Sequence, residues 1–166
     1  MQPVPALTVA LLAIGLTGAA VAQGTSVPFS GLSHDSSLPV EISSEALSVN
    51  SDAGTAEFTG GVVAGQGDLK LTADRLLVEY GDSNGSGQIE EMQAFGSVTL
   101  TNGGEAAEAS TAVYDVASGK ITLTGEVLLS QGQNAIAGDK LNVDLNSGEA
   151  AFEGRVRTIF QPTQSE

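Results

Sequence analysis

Cysteine and tryptophan are missing from this 166-residue chain, histidine occurs once, and 6 basic side chains face 20 acidic ones. Without cysteine there is no disulfide scaffold, no thiolate zinc site and no cysteine nucleophile. One histidine, His34, builds neither a Ser-His-Asp triad nor a multi-histidine metal centre. The formal charge of −14 opposes every phosphate contact a nucleic-acid binder would need. Aromatic residues make up only 4% of the chain. What is plentiful is glycine, 21 residues, within a chain that is 41% hydrophobic. That composition supports one domain with a real core and points to a turn-rich β protein rather than a helical enzyme.

The chain opens on an address. Ala6 to Leu16 is an apolar run of signal-peptide length, followed by small residues at Ala20-Val21-Ala22. Cleavage is expected after Ala22, making residues 1–22 a signal peptide. The leading Met1-Gln2-Pro3 has no Lys or Arg, so only the α-amino group supplies positive charge there. A membrane anchor is the rival reading, but the stretch is interrupted by Gly and short of the roughly 20 apolar residues a spanning helix needs. An exported chain free of thiols suits the bacterial periplasm. Residues 23–39, rich in Gly, Ser and Pro and holding His34, read as a flexible N-terminal arm. Residues 161–166 read as a polar tail.

Between them lies a repeat. Residues 45–80 align with 110–145 at a constant offset of 65, and nine of the 36 positions are identical, among them Gly60/Gly125, Val62/Val127, Gln66/Gln131 and Asp74/Asp139. Inside this, a Gly-x-Val step recurs at Gly60, Gly96, Gly125 and Gly154. From Glu45, Ser110 and Asp139 to the next such Gly is 15 residues each time, whereas from Asp74 to Gly96 it is 22. The second unit therefore carries a seven-residue insertion, placed in Gly81 to Gly87. A period near 29 residues means a stacked supersecondary unit that cannot bury its apolar face alone.

The unit alternates with period 2, so it is a strand with one apolar and one largely polar face. Ala56, Phe58, Val62 and Ala64 share one face, as do Ile121, Leu123, Val127 and Leu129, and as do Phe152, Val156 and Phe160. Ser51-Asp52-Ala53-Gly54, Gly65-Gln66-Gly67-Asp68, Thr101-Asn102-Gly103-Gly104, Ser118-Gly119 and Asn146-Ser147-Gly148 are turn signals. Each Gly before a Val falls on the apolar face, where it would remove a side chain from the interior and permit a bulge. Asp74, Ser110 and Asp139 are expected to hydrogen-bond backbone at that kink.

The run from Val40-Glu41-Ile42 through Phe58-Thr59-Gly60-Gly61-Val62, then Leu69-Lys70-Leu71-Thr72-Ala73-Asp74, resembles the OstA-like family. The second copy, Leu123-Thr124-Gly125-Glu126-Val127 to Ile136-Ala137-Gly138-Asp139, has the form of that family's other typical block. The resemblance covers roughly 40–160, the expected domain. It implies an all-β fold, an open, twisted β-jelly-roll of repeated hairpins, whose apolar interior carries the acyl chains of lipopolysaccharide. It implies no enzyme and no cofactor. It also implies modules stacked head to tail between an inner-membrane LptC-like protein and an outer-membrane LptD-like one.

A curved sheet with an uncovered apolar face must close on itself or accept an apolar ligand. Each methylene moved into such a groove gains about 0.8 kcal/mol. The expected lining is Phe58, Val62, Leu69, Leu71, Leu76, Val78, Val98, Leu100, Tyr114, Leu123, Val127, Ile136, Leu141, Val143, Phe152 and Val156, each of which serves equally well as plain core. Small lining residues are expected to leave room for the ligand. Sheet edges would expose unpaired backbone groups and invite strand addition between modules.

Other chemistry is sparse. Asp82 to Ile89 fits the opening of an EF-hand loop, but its twelfth position is Gln93 instead of a bidentate Glu, so a solvated turn is the better reading. Glu90-Glu91 and Glu105 with Glu108 read as solvated carboxylates. Lys70, Arg75, Lys140, Arg155 and Arg157 form either a rim that meets anionic lipid headgroups or a set of isolated surface charges. Against the carrier stand two alternatives: a structural or adhesive secreted β-repeat protein with no lipid ligand, and a Ca²⁺-stabilised β module.

Overall fold

The computed structural model describes residues 37–81 and 87–160, with the backbone of Thr25–Pro28. The expected signal peptide, His34, most of the 82–89 EF-hand-like stretch and the polar tail lie outside the described residues. Eleven strands are described: β1 (Thr25–Pro28), β2 (Glu41–Ser43), β3 (Ala46–Asn50), β4 (Thr55–Gln66), β5 (Leu69–Tyr80), β6 (Ile89–Asn102), β7 (Glu105–Asp115), β8 (Lys120–Gln131), β9 (Asn134–Asp144), β10 (Glu149–Glu153) and β11 (Arg157–Ile159). They form one antiparallel sheet in which β4 to β10 neighbour in chain order. No helix is present among the described residues.

One half of each hairpin is closed by a two-residue loop, at 67–68, 103–104 and 132–133. Gly67, Gly103 and Gly132 open these loops at φ +57, +57 and +58, the left-handed geometry that the first central residue of a II′ turn requires. At the other end the strands join through four residues, 51–54, 116–119 and 145–148, except that β5 to β6 takes 81–88. The longer connection falls where the repeat spacing placed its insertion.

A seam crosses the whole sheet. Thr59 pairs with Arg75 and Val62 with Ala73, so Gly60 and Gly61 oppose the single residue Asp74. Gly96 and Ser97 likewise oppose Ser110, and Gly125 and Glu126 oppose Asp139. At the flanks the seam breaks the outer strands outright: β2 and β3 pair with opposite ends of β4, and β10 and β11 with opposite ends of β9. These are β-bulges in register, and each bends the sheet at the same level. The result is two half-sheets, one from the first part of β4 with β3 and β10 (half A), the other from its second part with β2 and β11 (half B).

The bulge glycines do something other than the alternation implied. Each stands at φ +73 to +87, and the place its Cβ would take is filled by the side chain of Glu45 at Gly60, Asp74 at Gly96, Ser110 at Gly125 and Asp139 at Gly154. Those side chains are exposed or half-buried. The glycines therefore make room for a polar group at the bend and not for space inside. The bulge also resets the alternation: in β5 the buried positions run Leu69 and Ala73, then Leu76 and Val78, a slip of one residue past Asp74. Ser110 donates its hydroxyl proton to the Gly125 carbonyl (3.2 Å), the backbone bond expected of it.

The arm expected over 23–39 needs one correction. Thr25–Pro28 adds to the sheet as β1, pairing antiparallel with β10 from Thr25/Phe152 to Pro28/Glu149. Without it β10 would present an unpaired edge, and strand addition satisfies those backbone groups.

Candidate functional site

Sheet register assembles the inner face row by row. Leu47, Phe58, Leu76, Ala94, Ala112, Leu123, Leu141 and Phe152 stand opposite one another across eight strands of half A. Val49, Ala56, Val78, Met92, Tyr114, Ile121, Val143 and Ala150 form the next row. In half B, Ile42, Ala64, Leu71, Leu100, Ala107, Leu129 and Ile136 align, and Val62, Val98 and Val127 sit beside the seam. With strands about 4.8 Å apart, a row from β4 to β10 runs on the order of 30 Å. That is about twice the length of one acyl chain, since the roughly 30 Å hydrocarbon core of a bilayer spans two leaflets.

Every expected lining residue but one lies in this interior. Val62, Leu69, Leu76, Val78, Val98, Leu100, Tyr114, Leu123, Val127, Ile136, Leu141, Val143 and Phe152 are buried, and Phe58 and Leu71 pack against them half-buried. Val156 is the correction: it is 38% exposed in the bend between β10 and β11, because the chain leaves the alternating strand at Gly154. Phe160 is also exposed rather than inward. The small residues of the apolar face are inward as well: Ala56, Ala64 and Ala112, and also Ala94, Ala107 and Ala150, which the sequence analysis does not single out, are all buried and sit in phase with the large residues. Period-2 phase was the signal for all six.

The trough is not open along its length. The two half-sheets fold face to face, and among the described residues an apolar pocket between them holds about 30 Å³, room for little more than a water molecule. Its walls come from both halves, Ala64, Leu71 and Leu100 from one and Leu76, Met92 and Ile121 from the other. The small side chains thus let the halves approach instead of leaving a void, because contact buries apolar surface that an empty groove would leave wet. The Tyr114 hydroxyl spans the gap and donates to Gln66 Oε1 (3.3 Å), while Gln66 Nε2 donates to the Leu38 carbonyl (2.7 Å). Burial pushes the Tyr114 hydroxyl pKa up, so it stays a donor.

Beside this pocket a wider cleft of about 790 Å³ opens to solvent and shares Val40 and Gln66 with it. The remaining walls include Leu38, Ile89, Glu90 and Val116. At the same side the inner rows run out on β3, where Leu47 is 56% and Val49 63% exposed.

Three of the basic residues are held in ion pairs. Arg75 pairs with Glu57 (2.8 Å), Lys140 with Glu153 (3.8 Å) and Arg155 with Asp139 (2.7 Å), each joining neighbouring parts of the sheet. Arg75 also lies over the Phe95 ring, 4.1 Å from its centroid. Gln93, the twelfth position of the EF-hand-like stretch, sits within β6 and donates to Glu79 and Glu91. Among the described residues no group of three or more His, Asp or Glu side chains is placed to hold a metal ion.

One bent antiparallel sheet, folded face to face over apolar rows that emerge on β3, defines an open β-jelly-roll. A crystal structure of LptH from Pseudomonas aeruginosa, the LptA-homologous periplasmic component of its lipopolysaccharide transport device, has the same fold: TM-score 0.69 over 77% of this chain and 99% of that one, at 18% identity. The sequence profile of the LptA/(LptD N-terminal domain) LPS transport protein family matches residues 41–149, and the chain belongs to that family. It is 28% identical to the lipopolysaccharide export system protein LptA of Escherichia coli K12, covering 92% of this chain and 87% of that protein. It is 33% identical to an uncharacterized protein of Rhizobium meliloti, covering 95% and 90%.

Proposed function

We propose that this protein is a periplasmic lipopolysaccharide transport protein. Acyl chains lie between its two half-sheets, along the rows that cross the strands, on their way from inner to outer membrane. The observation that carries the reading is the unbroken apolar row from Leu47 to Phe152, which ends in exposed side chains on β3 in a chain of this family. Loading requires the half-sheets to part, since the resting pocket of about 30 Å³ does not admit a hydrocarbon tail. Each methylene that enters returns about 0.8 kcal/mol, so a partly inserted chain offsets the lost contact between the halves.

Copies of the chain add edge to edge, the β2/β3 edge of one against the β1/β11 end of the next, and the ends of the row meet an LptC-like protein at the inner membrane and an LptD-like one at the outer. Residues 1–22 direct export and are removed.

A sealed structural β module without ligand is the second reading, and the filled interior is what favours it. Delipidated protein titrated with a fluorescent acyl probe separates the two. Carrier function predicts saturable uptake that purified lipopolysaccharide competes away. Absence of uptake overturns it in favour of the sealed module.

A further inference from the structure

The two long lips of the folded sheet differ in chemistry. Where the strands of half A end, Tyr80, Ile89, Val116 and Leu145 face the core. Where those of half B end, register aligns Gln66, Leu69, Asn102, Glu105, Gln131 and Asn134, one per strand from β4 to β9. All but Leu69 carry an amide or a carboxylate. Gln66, Asn102 and Glu105 are buried, and Glu105 is only 6% exposed.

Glu105 stands out within the row. It shares the inward phase of β7 with Ala107, directly above the apolar row of half B. Gln131 Nε2 donates to its Oε1, but its Oε2 is buried with no hydrogen-bond partner among the described residues. A buried carboxylate oxygen without a donor is destabilising. The strain would be relieved by a donor arriving from outside.

We infer that this lip is the contact for the polar end of the bound amphiphile, with Glu105 Oε2 accepting a hydrogen bond from a hydroxyl or amide N–H at the head of the acyl chain. The inference rests on the carrier reading and adds to it an orientation: polar end to the half-B lip, tail toward the seam. The carboxylate repels an anionic group at this spot, so phosphates of a headgroup sit away from it. Gln66 carries the row to the open cleft, which gives the head a route from solvent.

The test displaces a fluorescent acyl probe from the whole protein with two neutral lipids of one chain length, monomyristoylglycerol, which has hydroxyl donors, and methyl myristate, which has none. The wild type is expected to prefer the glycerol ester by about tenfold, the ratio of one hydrogen bond to a charged acceptor. Glu105→Leu should abolish that preference while binding methyl myristate as before, and Glu105→Gln, which keeps an acceptor oxygen, should retain part of it. Relief of the buried charge leaves both variants folded with an unchanged or higher Tm. An undiminished preference in Glu105→Leu overturns the lip assignment and leaves the carrier intact. Failure of both lipids to displace probe from the wild type overturns both.

Discussion

The Ser110 hydroxyl lies 2.7 Å from where a Cβ on Gly125 would stand, and the same oxygen donates to the Gly125 carbonyl. Side chain and missing side chain are two halves of one device, and the sheet repeats it at Gly60, Gly96 and Gly154. Gly125→Ala meets both the Ser110 side chain and the cost of a Cβ at φ +87. Urea unfolding should show a loss of about 1–3 kcal/mol. Gly61, at φ +52 with open space around its Cβ position, should accept Ser with a much smaller loss, because Ser97 and Glu126 already occupy the equivalent place.

Closure of the half-sheets has a removable contact. Tyr114→Phe deletes the hydroxyl that reaches Gln66, which keeps its bond to Leu38. The expected cost in urea unfolding is about 1 kcal/mol. Since it weakens the closed form that excludes ligand, acyl-probe affinity should rise a few-fold. Lower stability with unchanged affinity would mean that the halves part elsewhere.

Assembly through the β3 edge depends on exposed apolar side chains, so it is separable from folding. Leu47→Lys with Val49→Lys places charges on an edge strand whose residues are all exposed. Tm should change little, while sedimentation velocity at high protein concentration should show monomer where the wild type associates. Persistent association of the double variant would move the contact off this edge.

Acid should loosen the fold through two carboxylates. The Arg155 guanidinium hydrogen-bonded to Asp139 holds that carboxyl below its usual range, and the backbone N–H of Ser118 does the same for Asp115. A folded-state pKa below the unfolded one means that the unfolded chain binds the proton more readily. The stabilisation is therefore full above the ordinary carboxylate range and is lost as pH falls from about 5 toward the depressed values. Urea midpoints measured down this range should fall less steeply in the Asp139→Asn, Asp115→Asn double variant than in the wild type. Equal slopes would locate the acid sensitivity in other groups.

Much of this protein was determined by local chemistry and could be read along the chain. Period-2 alternation, the Gly-containing tight turns and the offset of 65 between copies marked the strands, the hairpins and the level of every bulge, since each depends on residues near in sequence. The pairs Glu45/Gly60, Asp74/Gly96, Ser110/Gly125 and Asp139/Gly154 were already visible as spacings. Their meaning was not. Whether a bulge glycine spares space inside or outside depends on φ and on the neighbouring strand, which only the assembled sheet sets. Tertiary structure alone also decided that the half-sheets close to a pocket of about 30 Å³, that Thr25–Pro28 covers β10, that Val156 leaves the interior and that Glu105 is buried in a polar lip. These outcomes follow from contacts between residues distant in the chain, where apolar surfaces and unpaired strand edges seek cover wherever folding brings them together.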